Sequence, residues 1–160
     1  MFTDEQFTRL AKKYIDTVFR VALNYLRSGT EADDVTQNVF LKLWKEKKPF
    51  ESEEHVRAWL IRVTINECKH VLRSPWRSAE NFEDYAAKLS FVTPEHSELF
   101  YAVMDLPKKY RMPIYLYYYE NYSTGEVAQI LGIPRATVAT HLRRGRMMLR
   151  EILQEADANA

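Results

Sequence analysis

Two helices joined by a tight turn are encoded in residues 123–150, STGEVAQILGIPRATVATHLRRGRMMLR. Ser123 and Glu126 have the Ser-x-x-Glu spacing of a capping box, in which each side chain satisfies a free backbone amide at a helix start. Gly132 can adopt the left-handed conformation that ends this helix. Pro134 suits the first turn of the next helix, where a missing N–H costs nothing. The pattern therefore predicts a helix-turn-helix.

The second of these helices has an apolar side and a basic side. Val138, Leu142 and Leu149 recur at helical spacing and are expected to face inward. Five arginines and no acidic residue fall between Arg135 and Arg150. Short and basic side chains presented across a tight turn are typical of a helix that enters the major groove of DNA. We therefore expect DNA binding, and an ordinary helical hairpin with a solvated basic face is the alternative. The outward side carries Ala136, Ala139, Thr140, Arg143, Arg146 and Arg150.

The composition indicates a globular protein with an uneven charge distribution. Of the 160 residues, 46% are hydrophobic and 28% are charged, and the formal net charge is +1. Residues 107–150 contain eight basic and two acidic side chains, so the C-terminal part is the one that suits a polyanion. The single cysteine, Cys68, excludes an internal disulfide and fits a reducing compartment; we expect it to be buried.

No feature of the sequence indicates an enzyme or a membrane protein. The four histidines are scattered without metal-ligand spacing, and neither a Walker-type glycine loop nor a serine or cysteine nucleophile in a known setting is present. We therefore expect no catalytic activity, no metal and no cofactor. No apolar run approaches membrane-spanning length, and the start MFTDEQFTRL lacks the pattern of a secretory signal. The sequence predicts a cytoplasmic protein with no direct membrane insertion.

The expected fold class is all-α, because glycines are few and no alternating apolar–polar run is long enough to demand a sheet. We expect two small helical domains, at 1–73 and 95–160, joined by a linker at 74–94, with the helix-turn-helix in the second. Pro113 is expected in the first turn of the helix that carries Tyr115 to Tyr119. Three helices are predicted in the first domain, which run from about Thr8 to a stop at Ser28-Gly29, from the N-cap Thr30 to the basic cluster at 45–48, and from about Glu53 to Arg73.

The third of these helices is predicted to carry a narrow basic strip. Asparagine can hydrogen-bond a base edge, arginine and lysine hold phosphates, and an aromatic ring can stack on an exposed base. Phe50, in the preceding loop, is a second possible stacking surface. Single-strand nucleic-acid contact is one interpretation, and a snorkelling cationic strip with its tryptophan in the core is the other. The strip comprises Trp59, Arg62, Asn66, Lys69 and Arg73.

The acidic start of the second helix also has two interpretations. Glu31, Asp33 and Asp34 place negative charge where a helix N-terminus favours it. The same carboxylates, with Gln37, Phe40 and Trp44 beneath them, could form the electrostatic half of a protein interface. The composition leaves both open.

Taken together, these motifs resemble the extracytoplasmic-function sigma factors of bacterial RNA polymerase, in the sigma-70 superfamily. EADDVTQNVFLKLW resembles the family's segment that binds core polymerase, and HVRAWLIRVTINECKHVL resembles its segment that melts and reads the minus-ten promoter element. The segment from LPKKYRMPIY to RGRMMLREIL resembles its minus-thirty-five-reading domain. The three blocks occur in the family's order and cover most of the chain.

The resemblance implies roles for matching positions in the first domain. Phe50 and Asn66 would help to hold a base flipped out of the non-template strand, and the basic residues of the strip would follow its backbone. Unstacking a base costs a few kcal/mol, which stacking and edge hydrogen bonds must offset. The contacts to the clamp helices of the largest polymerase subunit would come from Asp33, Asp34, Gln37 and Phe40.

In the second domain the resemblance implies contacts to the minus-thirty-five element. Thr140 and Arg143 match groove-facing positions, and Arg144 and Arg146 match positions that hold phosphates. His141 departs from a frequent arginine of the family. The family usually has glycine at position 136 and a basic residue at 139, where this chain has alanines. The full expected interface comprises Arg135, Ala136, Thr137, Ala139, Thr140, Arg143, Arg144 and Arg146.

The resemblance implies three partners: core RNA polymerase, promoter DNA and an anti-sigma protein. The promoter would be double-stranded at minus thirty-five and single-stranded at minus ten. From the residues alone, a free-standing helix-turn-helix regulator that does not recruit polymerase is the alternative. Such a regulator needs a dimer surface and a palindromic site, whereas a sigma factor reads two spaced elements as a monomer.

Overall fold

A computed structural model describes residues 2–75 and 97–158 of the chain. These residues form two compact units, one on each side of the gap. Every regular element in the described ranges is a helix, which confirms the all-α fold class. Apart from residues 74 and 75, the expected linker lies outside the described residues. The domain boundaries at 73 and 95 therefore stay a prediction.

The described part of the N-terminal unit, residues 2–75, forms three helices, each of which packs against the other two. They are α1 (Asp4–Leu26), α2 (Gly29–Lys45) and α3 (Glu53–Arg73). The bounds predicted for α3 are confirmed, and Cys68 is buried in it, as expected. The core between the helices is formed by fully buried aliphatic side chains, including Leu10, Val18, Leu23, Leu43, Leu60, Ile61 and Ile65.

The first helix starts one turn earlier than the sequence analysis expected. The Thr3 side chain accepts a hydrogen bond from the Gln6 amide at 3.1 Å, and the Gln6 side chain accepts one from the Thr3 amide at 3.0 Å. This reciprocal arrangement is a capping box built from threonine and glutamine. The predicted start near Thr8 followed the apolar periodicity and was wrong, because the cap lies ahead of the first buried residue.

The predicted junction between α1 and α2 was also wrong in detail. Arg27, with a φ of 55°, takes the left-handed conformation that ends α1. Ser28 is the N-cap of α2, and its hydroxyl accepts a hydrogen bond from the Glu31 amide at 3.2 Å. Thr30 is therefore not the cap but already lies in the first turn. The two helices are joined without an intervening loop, which explains why the stop and the start signals overlap in the sequence.

Residues 97–158 of the C-terminal unit form four helices in two pairs. The first pair is α4 (Ser97–Met104) and α5 (Lys108–Ile114), which continues into a π-helical turn at Tyr115–Tyr119. The second pair is α6 (Thr124–Leu131) and α7 (Arg135–Ala158), the helix-turn-helix. The long helix α7 packs against α4, α5 and α6, so it is the central element of this unit.

Pro113 lies inside α5 rather than in the first turn of a separate helix, and the expectation for it was wrong. Proline lacks an amide hydrogen and its ring crowds the carbonyl one turn earlier, so an ordinary α-helix cannot pass it without adjustment. Here the following turn widens: the Glu120 amide donates to the Tyr115 carbonyl, five residues earlier, at 3.3 Å. The wider turn allows one continuous helical segment to carry both Pro113 and the tyrosine run.

The helix-turn-helix forms as predicted. Ser123 and Glu126 make both hydrogen bonds of the capping box, and Gly132 ends α6 in the left-handed conformation with a φ of 68°. Pro134 lies just before α7, and its carbonyl accepts a hydrogen bond from the Val138 amide at 3.1 Å. It therefore precedes the first helical residue instead of occupying the first turn.

Candidate nucleic-acid and protein interfaces

The basic strip of α3 is exposed from Arg62 to Arg73, and Trp59 at its start is half-buried. Arg62, Asn66, Lys69 and Arg73 follow one another at three- and four-residue steps on the face opposite the core, and all four are exposed. Within the described residues, none of the three cations forms an ion pair with a carboxylate. The strip therefore presents its donors to solvent, which leaves them available to an anionic ligand.

Trp59, the first member of the strip, belongs to an aromatic cluster at the start of α3. Its ring meets the ring of Phe50 edge to face, with centroids 5.6 Å apart. Phe50 also contacts His55 at 5.1 Å and stacks nearly parallel on Phe2, with centroids 5.7 Å apart and an interplanar angle of 18°. The structure thus brings Phe50 and Trp59 together. Asn66 lies about 10 Å further along the helix axis.

The loop that carries Phe50 is held by the cap of α3. The Ser52 hydroxyl accepts a hydrogen bond from the His55 amide, and the His55 Nδ1 accepts one from the Glu51 amide, both at 3.1 Å. These bonds fix the loop so that the Phe50 ring points at Trp59. His55 was not predicted to hold this loop, although its position three residues after the cap serine is a usable signal. Phe2 was also missed, because no local pattern exists for it.

The candidate polymerase-binding face lies on α2. Asp33, Asp34 and Gln37 are exposed on one side of the helix. Phe40 is only 8% exposed and packs against the edge of Phe7, so its ring belongs mainly to the core of the unit. The exposed apolar surface on α2 comes instead from Leu41 and Trp44, which are 54% and 44% exposed. The expectation that Trp44 lies beneath the carboxylates was wrong, because its side chain is exposed.

The side of α7 that is expected to enter the major groove of DNA is exposed to solvent, as the helical periodicity indicated. Ala136, Ala139 and Arg143 are exposed, and Val138 and Leu142 face inward and are buried. Thr137 and Thr140 are half-buried at the margin of this face. Residues with short side chains thus occupy the first turns, and the basic residues follow them.

Three arginines of the candidate DNA-binding surface are tied to neighbouring side chains. The Nε of Arg135 donates to the Thr124 hydroxyl at 3.1 Å, which joins the start of α7 to the start of α6. The Nη1 of Arg146 donates to the hydroxyl of Tyr118 at 3.0 Å. Arg144 is exposed next to Tyr110 of α5. Each guanidinium still has free N–H donors, because arginine carries five.

The C-terminal half of α7 borders an apolar groove of about 590 Å³, which Arg146 and Arg150, expected on the outward side of the helix, also line. Tyr118 and Tyr119 lie at this groove, and each residue is 47% exposed. The partial burial of Tyr119 raises the pKa of its hydroxyl. Leu149, predicted to be an inward residue of α7, lines the groove and is half-buried. The other apolar lining residues are Leu99, Val103, Ile114 and Leu153.

Over residues 2–75 and 97–158, no cluster of three or more histidine, cysteine, aspartate or glutamate side chains could hold a metal ion. No helix in these ranges is long and apolar enough to cross a membrane.

Two family descriptions match the chain in the order of its two units. Residues 10–85 match sigma-70 region 2, and residues 97–149 match sigma-70 region 4. Together the two matches span most of the chain. They coincide with the unit that carries the α3 strip and with the unit that carries the helix-turn-helix.

Curated relatives and solved structures agree with these matches. The ECF RNA polymerase sigma factor SigW of Bacillus subtilis is 25% identical over 94% of this chain and 90% of its own length. The ECF RNA polymerase sigma-E factor of Escherichia coli K12 is 28% identical over 88% of this chain and 82% of its own. Two solved structures share the fold. One is the sigma factor RpoE with the anti-sigma factor NepR from Bartonella quintana, with a TM-score of 0.69 and 20% identity, covering 92% of this chain and 96% of that one. The other is CnrH with the cytosolic domain of CnrY, with a TM-score of 0.66 and 24% identity, covering 99% of this chain and 92% of that one.

Proposed function

We propose, from the premise that this chain belongs to the extracytoplasmic-function sigma factors of the sigma-70 family, that it is an alternative sigma factor which binds core RNA polymerase and directs promoter recognition, DNA melting and transcription initiation. The observation that carries the proposal is the presence of both sigma regions, in order, in one chain. The chemistry of RNA synthesis belongs to the polymerase, and the chain acts in the cytoplasm, where that enzyme works. A free-standing regulator is not favoured, because it would not need a region 2 unit.

In the N-terminal unit, the α3 strip and the aromatic cluster capture the opened minus-ten strand. Arg62, Lys69 and Arg73 bind its phosphates, and the Asn66 amide hydrogen-bonds the edge of a flipped base. The rings of Phe50 and Trp59 supply a stacking surface beside it, which offsets part of the cost of unstacking that base. The exposure of the strip and the contact between the two rings support this assignment.

In the C-terminal unit, α7 is the recognition helix for the minus-thirty-five element. Ala136, Ala139 and Thr140 form a face with short side chains that lets the helix approach the base edges, and Arg143 reaches into the major groove. The phosphates on either side are contacted by Arg135, Arg144 and Arg146, with Thr137 at the margin of the face.

The polymerase docks on α2. The exposed Asp33, Asp34 and Gln37 provide the charged and polar contacts, and the exposed Leu41 and Trp44 provide apolar area beside them. Phe40 supports this surface from beneath, since its ring is almost completely buried. An anti-sigma protein is a further expected partner, because the similar RpoE structure is a complex with one.

The first experiment tests polymerase binding. The purified chain should co-elute with core RNA polymerase and support run-off transcription with defined start sites. Asp34→Arg should lose co-elution, because it reverses a charge in the middle of the docking face. Asp16→Arg makes the same charge reversal on the outward side of α1 and serves as the matched control. Equal binding by Asp34→Arg and the control would refute the docking surface.

A second experiment separates the two DNA interfaces in the assembled holoenzyme. Asn66→Ala should weaken binding to a single-stranded minus-ten oligonucleotide and leave binding to a minus-thirty-five duplex unchanged. Arg143→Ala should do the reverse, because its side chain contacts only the duplex element. If both variants affected both ligands equally, the division of labour between the units would be wrong.

A further inference from the structure

Four side chains meet where the start of α5 packs against α7. Tyr110 lies between the others: its ring meets the ring of His141 edge to face, with centroids 5.4 Å apart. The Nζ of Lys109 lies 5.0 Å from the centroid of the Tyr110 ring. Arg144 follows His141 by one helical turn, so it lies on the same face of α7, and it is near enough to the Tyr110 hydroxyl to lower its pKa. Two elements thus contribute to one cluster.

The cluster has a positive charge that the described part of the unit does not balance. Lys109 and Arg144 are both exposed, and neither forms an ion pair with a carboxylate among residues 97–158. Burial, with the charges of these two cations, lowers the pKa of His141, so the imidazole between them is neutral at neutral pH. Its Nδ1 is enclosed and has no hydrogen-bond partner there. The Arg144 guanidinium, with a smaller contribution from Lys109, lowers the pKa of the Tyr110 hydroxyl.

The donors of the cluster suit one phosphate group. A guanidinium provides paired N–H donors, an ammonium provides a point charge, and a phenol provides one O–H donor, all of which are common contacts to phosphate oxygens. The Tyr110 residue is almost completely buried, so its ring is held in place before any ligand arrives. The chemistry favours an anion with several acceptor oxygens that approaches from the exposed side.

The position of the cluster identifies the source of that phosphate. His141 and Arg144 each follow directly after a groove-facing residue, Thr140 and Arg143, and are therefore rotated by about 100° around the helix axis. When a recognition helix lies in the major groove, the side chains at this rotation point at the sugar–phosphate backbone that borders the groove. A backbone phosphate of the bound duplex is the anion that lies in this direction.

We propose that Lys109, Tyr110 and Arg144 together bind one backbone phosphate beside the minus-thirty-five element. The helix α5, which precedes the helix-turn-helix, is thereby part of the DNA-binding surface. This inference rests on the proposed function, because it takes α7 to be the recognition helix. It adds Lys109 and Tyr110 to the residues that contact DNA.

The test measures binding of the reconstituted holoenzyme to promoter DNA over a range of salt concentrations. Lys109→Ala should weaken binding several-fold and reduce the slope of log affinity against log salt by less than about 0.9, the value for complete loss of one phosphate contact, because Arg144 still contacts the same phosphate. Tyr110→Phe keeps the ring against His141 and removes only a neutral donor, so it should weaken binding with little change in slope. Arg150→Ala is the control, because it removes an exposed cation of α7 at the apolar groove instead.

A set of duplexes with single neutral methylphosphonates identifies the contacted phosphate. One position should weaken binding of the parent chain, and Lys109→Ala and Arg144→Ala should each be less sensitive to the same position than the parent chain. The inference is refuted if the salt dependence of Lys109→Ala equals that of Arg150→Ala, or if no position shows this loss of sensitivity. Failure of the parent chain to form a promoter-binding holoenzyme would overturn the proposed function as well, which distinguishes the two failures.

Discussion

The buried Arg111 offers a quantitative test of what holds the C-terminal unit together. Its side chain is only 4% exposed, and its Nη1 donates to the carbonyls of Leu106 at 2.9 Å and Met104 at 3.2 Å. These carbonyls lie at the end of α4, where the last carbonyls of a helix have no partner within the helix. Arg111 therefore caps α4 from the following helix and ties the two helices together.

Replacement of Arg111 by methionine should destabilise this unit by about 3–5 kcal/mol. Methionine keeps most of the side-chain volume, so the cavity contribution is small. A hydrogen bond to a charged group contributes about 1.5–3 kcal/mol, and each carbonyl left buried without a partner costs about 1–3 kcal/mol. A helical unit of this size has a total free energy of unfolding of only about 3–9 kcal/mol. The substitution therefore removes a large part of the stability of the unit.

Hydrogen exchange followed by mass spectrometry measures this loss in the full chain. A loss of 3 kcal/mol corresponds to about a hundred-fold faster exchange of the protected amides in α4 to α7. Peptides from α1 to α3 give an internal reference. Arg143→Met is the matched control, because it makes the same change on an exposed face of α7. If Arg111→Met exchanged at the rate of this control, the two buried hydrogen bonds would not stabilise the unit and the reasoning would be refuted.

Three further outcomes follow from local contacts. Ser123→Ala should cost about 1 kcal/mol by removing the capping box of α6, measured as faster exchange of its first amides, and unchanged exchange would contradict the cap. Hydrogen bonds, chiefly from Lys13, lower the pKa of Glu53. The ionised Glu53 therefore stabilises the folded chain fully above the ordinary carboxyl pKa, and this stabilisation is lost as the pH falls through the lowered pKa. Thermal denaturation should thus show Glu53→Gln less stable than the parent at neutral pH, with a difference that disappears in acid; a constant difference would argue against the ion pair. Phe2→Ala should tighten holoenzyme binding to a single-stranded minus-ten oligonucleotide, because it uncovers one face of Phe50. Weaker binding would instead make Phe2 a part of the base-contacting surface.

Much of the fold could be predicted because the relevant signals act over a few residues. The capping box at Ser123 and the left-handed Gly132 define α6 by contacts within one or two turns. The exposed strip of α3 follows from helical periodicity alone, and so does the buried apolar stripe of α1, which comprises Leu10, Tyr14, Val18, Val21 and Tyr25. The errors at Thr30 and Pro113 have a local cause too: two candidate caps lay within three residues of each other, and a π-helical turn accommodated the proline.

The candidate sites were predictable only in part. Exposure of Arg62, Asn66 and Arg143 followed from the pattern, because residues opposite a core face must meet solvent. The sequence pattern did not predict that Phe40 is buried and Trp44 is exposed. Both residues are aromatic, and they lie on adjacent turns of α2 next to the same neighbours. The Phe7 ring meets both rings edge to face, with centroids 6.5 Å from Phe40 and 5.1 Å from Trp44, so the other packing around α2 decides which one is covered.

The sequence by itself determined the helices, the helix-turn-helix, the excess of basic charge in the C-terminal part and the order of the two sigma regions. These properties depend on spacing, on capping residues and on composition, all of which are local or additive along the chain. Only the tertiary structure decided that Phe2 covers Phe50, that Arg111 caps a helix other than its own, and that Lys109 joins Arg144 around Tyr110. Each of these contacts requires a packed arrangement of separate helices or distant segments, and no periodicity in the sequence specifies which side chains such packing brings together.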